Sequence, residues 1–199
     1  MEPVGARYPA AFTFDSPERV ARWRPLVNWI LAIPQLFIVG AMRYVAQAIS
    51  VVGWFIILFT GALPAGLANF QVMYLRYSVR VSVFAGFLTE EYPPFDFTMT
   101  PADPGTDPRV RVNIVPQLEQ RNRLTVFFRL ILAIPQFIVI AVLGIAVWAV
   151  YVIAFFAVLF TGRWPQGLRN FAVGFMRWVL RVEAYLLLLT DDYPTFALD

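Results

Sequence analysis

Ile30-Leu31-Ala32-Ile33-Pro34-Gln35 returns, residue for residue, as Ile131-Leu132-Ala133-Ile134-Pro135-Gln136. Working outward, Leu58-Phe59-Thr60-Gly61 returns as Leu159-Phe160-Thr161-Gly162. Pro64, Gly66, Leu67, Asn69, Phe70, Arg76, Arg80, Thr89, Tyr92, Pro93 and Phe95 each recur 101 positions later. Residues 22–95 therefore align with 123–196 without a gap. Fixed-period self-similarity marks duplicated architecture. The gapless register predicts that both halves share one backbone, related by a pseudo-twofold axis. The expected organisation is a first repeat over 1–100, a linker over 101–108 and a second repeat over 109–199.

The composition places both repeats in a membrane. Hydrophobic residues make up 59% of the chain and charged residues 15%, with a mean hydropathy of +0.64. Soluble domains run nearer 45–50% apolar and about a quarter charged. Between residues 25 and 61 the only charged side chain is Arg43, and between 124 and 162 it is Arg129. Stretches that long and that bare read as membrane-spanning helices. The fold class expected is mainly α and integral to the membrane, with about four transmembrane helices, interfacial amphipathic helices and short cytoplasmic strands. No Ala-x-Ala cleavage site closes a short apolar core ahead of residue 25, so the first span is expected to stay in place.

The residue inventory narrows the chemistry. With no Cys, the chain has no disulfide and no thiolate nucleophile or metal ligand. With no His, it lacks the commonest acid–base group. No cofactor, metal or catalytic activity is expected. The net charge of +3 is too small and scattered for a nucleic-acid binder. All 16 basic residues are Arg. That reflects either a GC-rich genome or a use for guanidinium forks, which grip phosphate or carboxylate bidentately.

Each repeat reads as a short strand, a long apolar stretch, a turn, a third helix and an acidic Tyr-Pro exit. Residues 25–61 as one helix would be about 55 Å long, against a hydrocarbon core of about 30 Å. The preferred reading is a tight hairpin turning near residues 40–44, and near Gly144 in the second repeat. The competing reading breaks the run at Pro34 and Pro135, which remove a backbone hydrogen bond and clash with the preceding turn. Gly61 and Gly162 suit the left-handed position that ends a helix, and Pro64 and Pro165 suit the first turn of the next.

The third helix is expected over about 65–89. On it Arg76 and Arg80 each fall within about 20° of Asn69 at 100° per residue; Arg177 and Arg181 stand the same way to Asn170 in the second repeat. Such a stripe on an apolar helix is costly at the bilayer centre. Either the arginines snorkel to the interface, or they contact lipid phosphate or a partner carboxylate. Tyr92 and Tyr193, each before a proline, are expected to end the helix. The acid pairs Glu90-Glu91 and Asp191-Asp192 are expected near Arg22, Arg24, Arg121 and Arg123. Alternation predicts strands over 8–15, 95–99 and 109–115, and the prolines and glycine of 101–108 a turn. The arginine distribution predicts cytoplasmic termini, strands and linker, with an even number of spans.

Leu-Ala-Ile-Pro-Gln, Leu-Phe-Thr-Gly-x-x-Pro-x-Gly-Leu-x-Asn-Phe, Arg-x-x-x-Arg-Val and acid-acid-Tyr-Pro-x-Phe together resemble a bacterial domain-of-unknown-function family, number four-three-eight-nine. Its members are small, often duplicated membrane proteins frequent in actinobacteria. The resemblance spans nearly the whole chain and implies a bacterial inner-membrane location. One departure is Glu183, which stands where the first repeat has Ser82 and is expected beside the second arginine stripe. The function expected is a non-catalytic accessory or scaffold subunit of an inner-membrane assembly handling envelope lipids. Its expected partners are the bilayer, anionic headgroups and other membrane proteins. The alternative is a small oligomeric transporter or channel, with Gln35 and Gln136 as polar groups in broken helices.

Overall fold

The structure is a computed structural model that describes residues 8–198. Its elements in order are β1 (Ala10–Phe14), α1 (Arg24–Leu31), α2 (Ile33–Thr60), α3 (Ala65–Ala85), β2 (Val110–Ile114), α4 (Arg123–Phe127), α5 (Arg129–Leu132), α6 (Ile134–Thr161) and α7 (Gln166–Leu186). The protein is mainly helical, is built from two copies of one unit, and carries one two-stranded antiparallel sheet.

The long apolar stretch does not fold back on itself, which corrects the hairpin expectation. Pro34 and Pro135 sit in the first turns of α2 and α6, where the missing N–H is tolerated. The break falls just before them, at Ala32 and Ala133. Gly40 and Gly144 lie inside uninterrupted 28-residue helices, each about 42 Å long at 1.5 Å per residue. Among the described residues two helical runs, rather than the four spans expected, are long and apolar enough to cross a membrane: α2 and the run ending in α6.

Gly61 (φ 76°) and Gly162 (φ 70°) end these helices in the left-handed conformation, as their lack of a Cβ permits. The chain then reverses into α3 and α7, which pack along α2 and α6 respectively. Both end about two turns before Tyr92 and Tyr193, at Ala85 and Leu186, followed by Phe87 and Leu188 at positive φ. Residues 95–99, expected as a strand, form an irregular strap instead.

The two repeats run antiparallel. Leu63, ahead of α3, and Leu188, after α7, meet over Gly53. At the other end, Trp164 Nε1, ahead of α7, donates to the carbonyl of Phe87, after α3 (3.0 Å). Reciprocal bonds close the relation: Val20 N donates to the Gly162 carbonyl (2.9 Å) and Arg121 N to the Gly61 carbonyl (3.1 Å). The sheet obeys it too. Phe12 pairs with Val112 and Ala11 with Asn113, and adding or subtracting 101 turns one pair into the other. The pseudo-twofold axis therefore passes through the sheet and between α3 and α7, perpendicular to both. Across it the halves exchange elements, with β1 packed on α7 and β2 on α3. Phe12, Val110, Val112 and Ile114 bury their side chains beneath the sheet; Thr13, Arg111 and Asn113 face outward.

Candidate functional site

The arginine stripe lies where the straps cross the central helix pair. Arg76 and Arg80, at 2% and 1% exposure, are among the most deeply buried side chains. Arg76 donates to the carbonyls of Thr98 (3.4 Å), Thr100 (3.1 Å) and Pro101 (3.3 Å). Arg80 donates to Asp96 (3.1 Å), Thr106 Oγ1 (3.0 Å) and Asp103 (2.7 Å). Asp103 also accepts from the backbone N–H groups of Gly105 (2.8 Å) and Val112 (2.7 Å), joining the linker to β2. Burial disfavours the ionised Asp96, but hydrogen bonds from Thr98, Thr106 and Arg80 outweigh it and hold its carboxyl well below the usual range. The counter-charge these buried arginines require comes from the chain's own strap and linker.

The second stripe is held differently. Arg181 donates to Thr195 Oγ1 (3.0 Å) and to the Ala197 carbonyl. Arg177 donates to the Phe12 carbonyl of β1 (3.2 Å), with its guanidinium 5.6 Å from the Phe12 ring centroid. Asn69 is half-buried and Asn170 exposed. Of the six stripe residues, Arg76, Arg80 and Arg181 are thus closed under the chain's own straps. Asn170 and Arg177 are left more open, Asn170 exposed and Arg177 half-buried.

The repeated motifs serve a second set of latches. Gln35 Nε2 donates to the Pro93 carbonyl (3.1 Å) while its Oε1 accepts from the Tyr77 hydroxyl. Gln136 repeats this with Pro194 (2.6 Å) and Trp178 Nε1 (2.8 Å). Pro-Gln and Tyr-Pro, distant in sequence, are two halves of one clasp. The glutamines are wholly buried and engaged by their own repeat. Asn28 Nδ2 donates to the carbonyls of Phe84 and Thr89 (both 3.0 Å). Its equivalent Arg129 donates to those of Tyr185 and Thr190 (3.0 Å for the latter).

The acid pairs lie near arginines as expected, though only some of the anticipated pairs form. Arg24 meets Glu90 at 3.5 Å, and Arg121 and Arg129 share Asp191 at 2.7 and 2.6 Å. Burial works against the Asp191 anion, but Arg121, the Asn122 N–H and Arg129 lower its pKa overall. Arg123 and Arg22 instead lie against the Gly61 and Gly162 turns. The residues that sequence reading missed are Asp96 and Asp103. Asp96 sits in a run whose alternation reads as a strand, and the run around Asp103 reads as turn chemistry.

Glu183 does not join the stripe. At 100° per residue it lies about 160° from Arg181. It lines a cavity of about 250 Å³ with Ser78, Ser82, Tyr151 and Met176. On α3, Ser78 and Ser82 point away from Arg76 and Arg80, so the cavity opens on the face opposite the straps. Among the described residues no group of three or more acids could hold a metal ion.

Much of the exposed surface of α1, α2, α5 and α6 is apolar. Trp29, Phe37, Phe59, Leu130, Ile145 and Trp148 are all more than half exposed, on α1, α2, α5 and α6. Fold and latches together define a class: a duplicated, mainly helical protein whose two longest helices leave their apolar sides uncovered. The chain belongs to the family described as Domain of unknown function (DUF4389), whose pattern matches residues 22–96 and again 123–197. No curated protein and no solved structure matches it.

Proposed function

We propose that this chain is a non-catalytic accessory or scaffold subunit of a larger assembly in the bacterial cytoplasmic membrane, serving envelope lipid handling. The observation that carries the reading is the uncovered apolar surface of α1, α2, α5 and α6. A surface of that extent marks a lipid or protein contact. The polar groups add to it. Buried acids and amides are engaged by arginines, backbone and each other, which is the chemistry of holding a shape. Both termini belong on the cytoplasmic side, with anionic headgroups and other integral membrane proteins as partners. Any contact made by the arginine stripe would begin at Asn170 and Arg177.

Purification of the full chain from native membranes in mild detergent tests this. Stoichiometric membrane proteins in the purified sample are the expected result, and a chain that purifies alone contradicts it. One observation favours a transporter instead: antiparallel repeats, with the Glu183-lined cavity between α3 and α7, resemble the inverted repeats of transporters that bind substrate at the repeat interface. Under that reading the chain purifies as a lone oligomer, and Glu183→Gln abolishes flux in proteoliposomes.

A further inference from the structure

We infer that the protein inserts into one leaflet of a bilayer rather than crossing it, with α2 and α6 lying along the membrane plane and the pseudo-twofold axis along its normal. This rests on the membrane reading above and adds the orientation, with the anionic phospholipid leaflet as the partner of the apolar surface.

The axis decides the matter. It is perpendicular to α3 and α7 and passes through the sheet. If α2 and α6 crossed the bilayer, the axis would lie in the membrane plane, with the sheet and straps at mid-depth. There Thr13, Arg111 and Asn113 would point into hydrocarbon; they are exposed on the outer face of the sheet. Asp15, with its side chain 82% exposed, would stand there too. A two-stranded sheet also has two open edges of unpaired N–H and C=O groups. Lipid-exposed edges do not occur in the hydrocarbon region, because no water is present to satisfy them.

Turning the axis onto the membrane normal removes the conflict. The sheet and straps face water. The apolar helices lie on the side toward which the Ser78–Ser82 face of α3 opens, away from the straps. A helix with its side chains is about 10–12 Å across, and half the hydrocarbon core is about 15 Å. One layer of helices fits a single leaflet. α6, which carries no charged residue along its 28 positions, is then sheathed in acyl chains along its length.

The charges at the helix ends agree. Exposed Arg22 lies on the Gly162 turn at one end of the molecule, and exposed Arg123 on the Gly61 turn at the other. Exposed Arg163 joins the first end. Lying flat, both ends sit at the depth of anionic headgroups, with exposed Trp23 beside Arg22 at the first end. Upright, arginines would flank the helices on both sides of the membrane, against the bias toward one side that spanning proteins show.

Because the chain has no cysteine, single cysteines in the full protein test this cleanly. Thr60→Cys, Thr161→Cys, Asn113→Cys and Ile145→Cys variants are reconstituted in vesicles of phosphatidylglycerol and phosphatidylethanolamine and treated with a membrane-impermeant maleimide from outside or inside. Thr60 and Thr161 lie at opposite ends of the antiparallel pair. The inference predicts that both label from the same side as Asn113, while Ile145, in mid-α6, resists from either side. If Thr60 and Thr161 label from opposite sides and Asn113 from neither, the helices cross, and the one-leaflet orientation is wrong while the membrane reading stands. If Ile145→Cys labels fully and alkaline carbonate strips the protein from the vesicles, the membrane reading itself fails. Thr13→Cys repeats the sheet measurement should Asn113→Cys fold poorly.

Discussion

Asp103 is the most connected acid of the first latch. It receives Arg80, the Gly105 and Val112 N–H groups, and stands 4.0 Å from Arg76 Nε. Removing one partner of a buried ion pair leaves the other charge uncompensated, typically at a cost of about 3–5 kcal/mol. Asp103→Ala should lose stability of that order in detergent melts, whereas Arg111→Ala, on the exposed sheet face, should stay within about 0.5 kcal/mol. Acid should loosen the latches as well. Asp96 and Asp191 ionise below their ordinary value when folded. Their contribution is therefore complete above the unfolded Asp pKa of about 3.9 and fades as pH falls through the folded values. The melting temperature should hold from about pH 7 to 5 and fall below about pH 4, with a smaller acid-induced drop in Asp96→Asn. At this scale the sequence exposed half of each interaction. The periodicity of α3 and α7 brought Asn69, Arg76 and Arg80 onto one stripe, but their acids lie on a strap whose alternation reads as a strand and on a turn-like linker, where no spacing rule says which helix a carboxylate returns to.

At the scale of elements, Gly61, Gly162 and the strands 10–14 and 110–114 lie where turn chemistry and alternation put them. The apolar stretch was ambiguous because proline and mid-run glycine both weaken a helix, and hydrophobicity alone cannot rank them. Pro34 and Pro135 win because a first-turn proline loses no helical bond of its own helix, while an apolar helix tolerates Gly40 and Gly144. Substitutions separate the two cases. Gly61→Ala should destabilise by about 1–2 kcal/mol, since an L-residue must adopt positive φ there. Gly144→Ala, whose new Cβ meets nothing within 4 Å, should be neutral or stabilising by up to about 1 kcal/mol. A turn at Gly144 would make it destabilising. Thermal melts of both variants read the sign.

For the molecule as a whole, the duplication and its pseudo-twofold axis were legible from the 101-residue repeat, and the axis direction was not. Counting arginines assumes that both repeats face the same way. The structure sets them antiparallel, because each strand packs on the other repeat's helix and each helix turn is tied by the other repeat's entry segment. That exchange places the sheet over the middle of the helices, and the one-leaflet orientation follows from it. The most direct test is pairwise cross-linking in native membranes with a short bis-maleimide. Leu63→Cys with Leu188→Cys should cross-link efficiently within one chain, as should Phe87→Cys with Trp164→Cys, while Leu63→Cys with Trp164→Cys should not. Efficient linkage of Leu63 to Trp164, with neither of the other pairs reacting, would mean that the repeats lie parallel and would contradict the account.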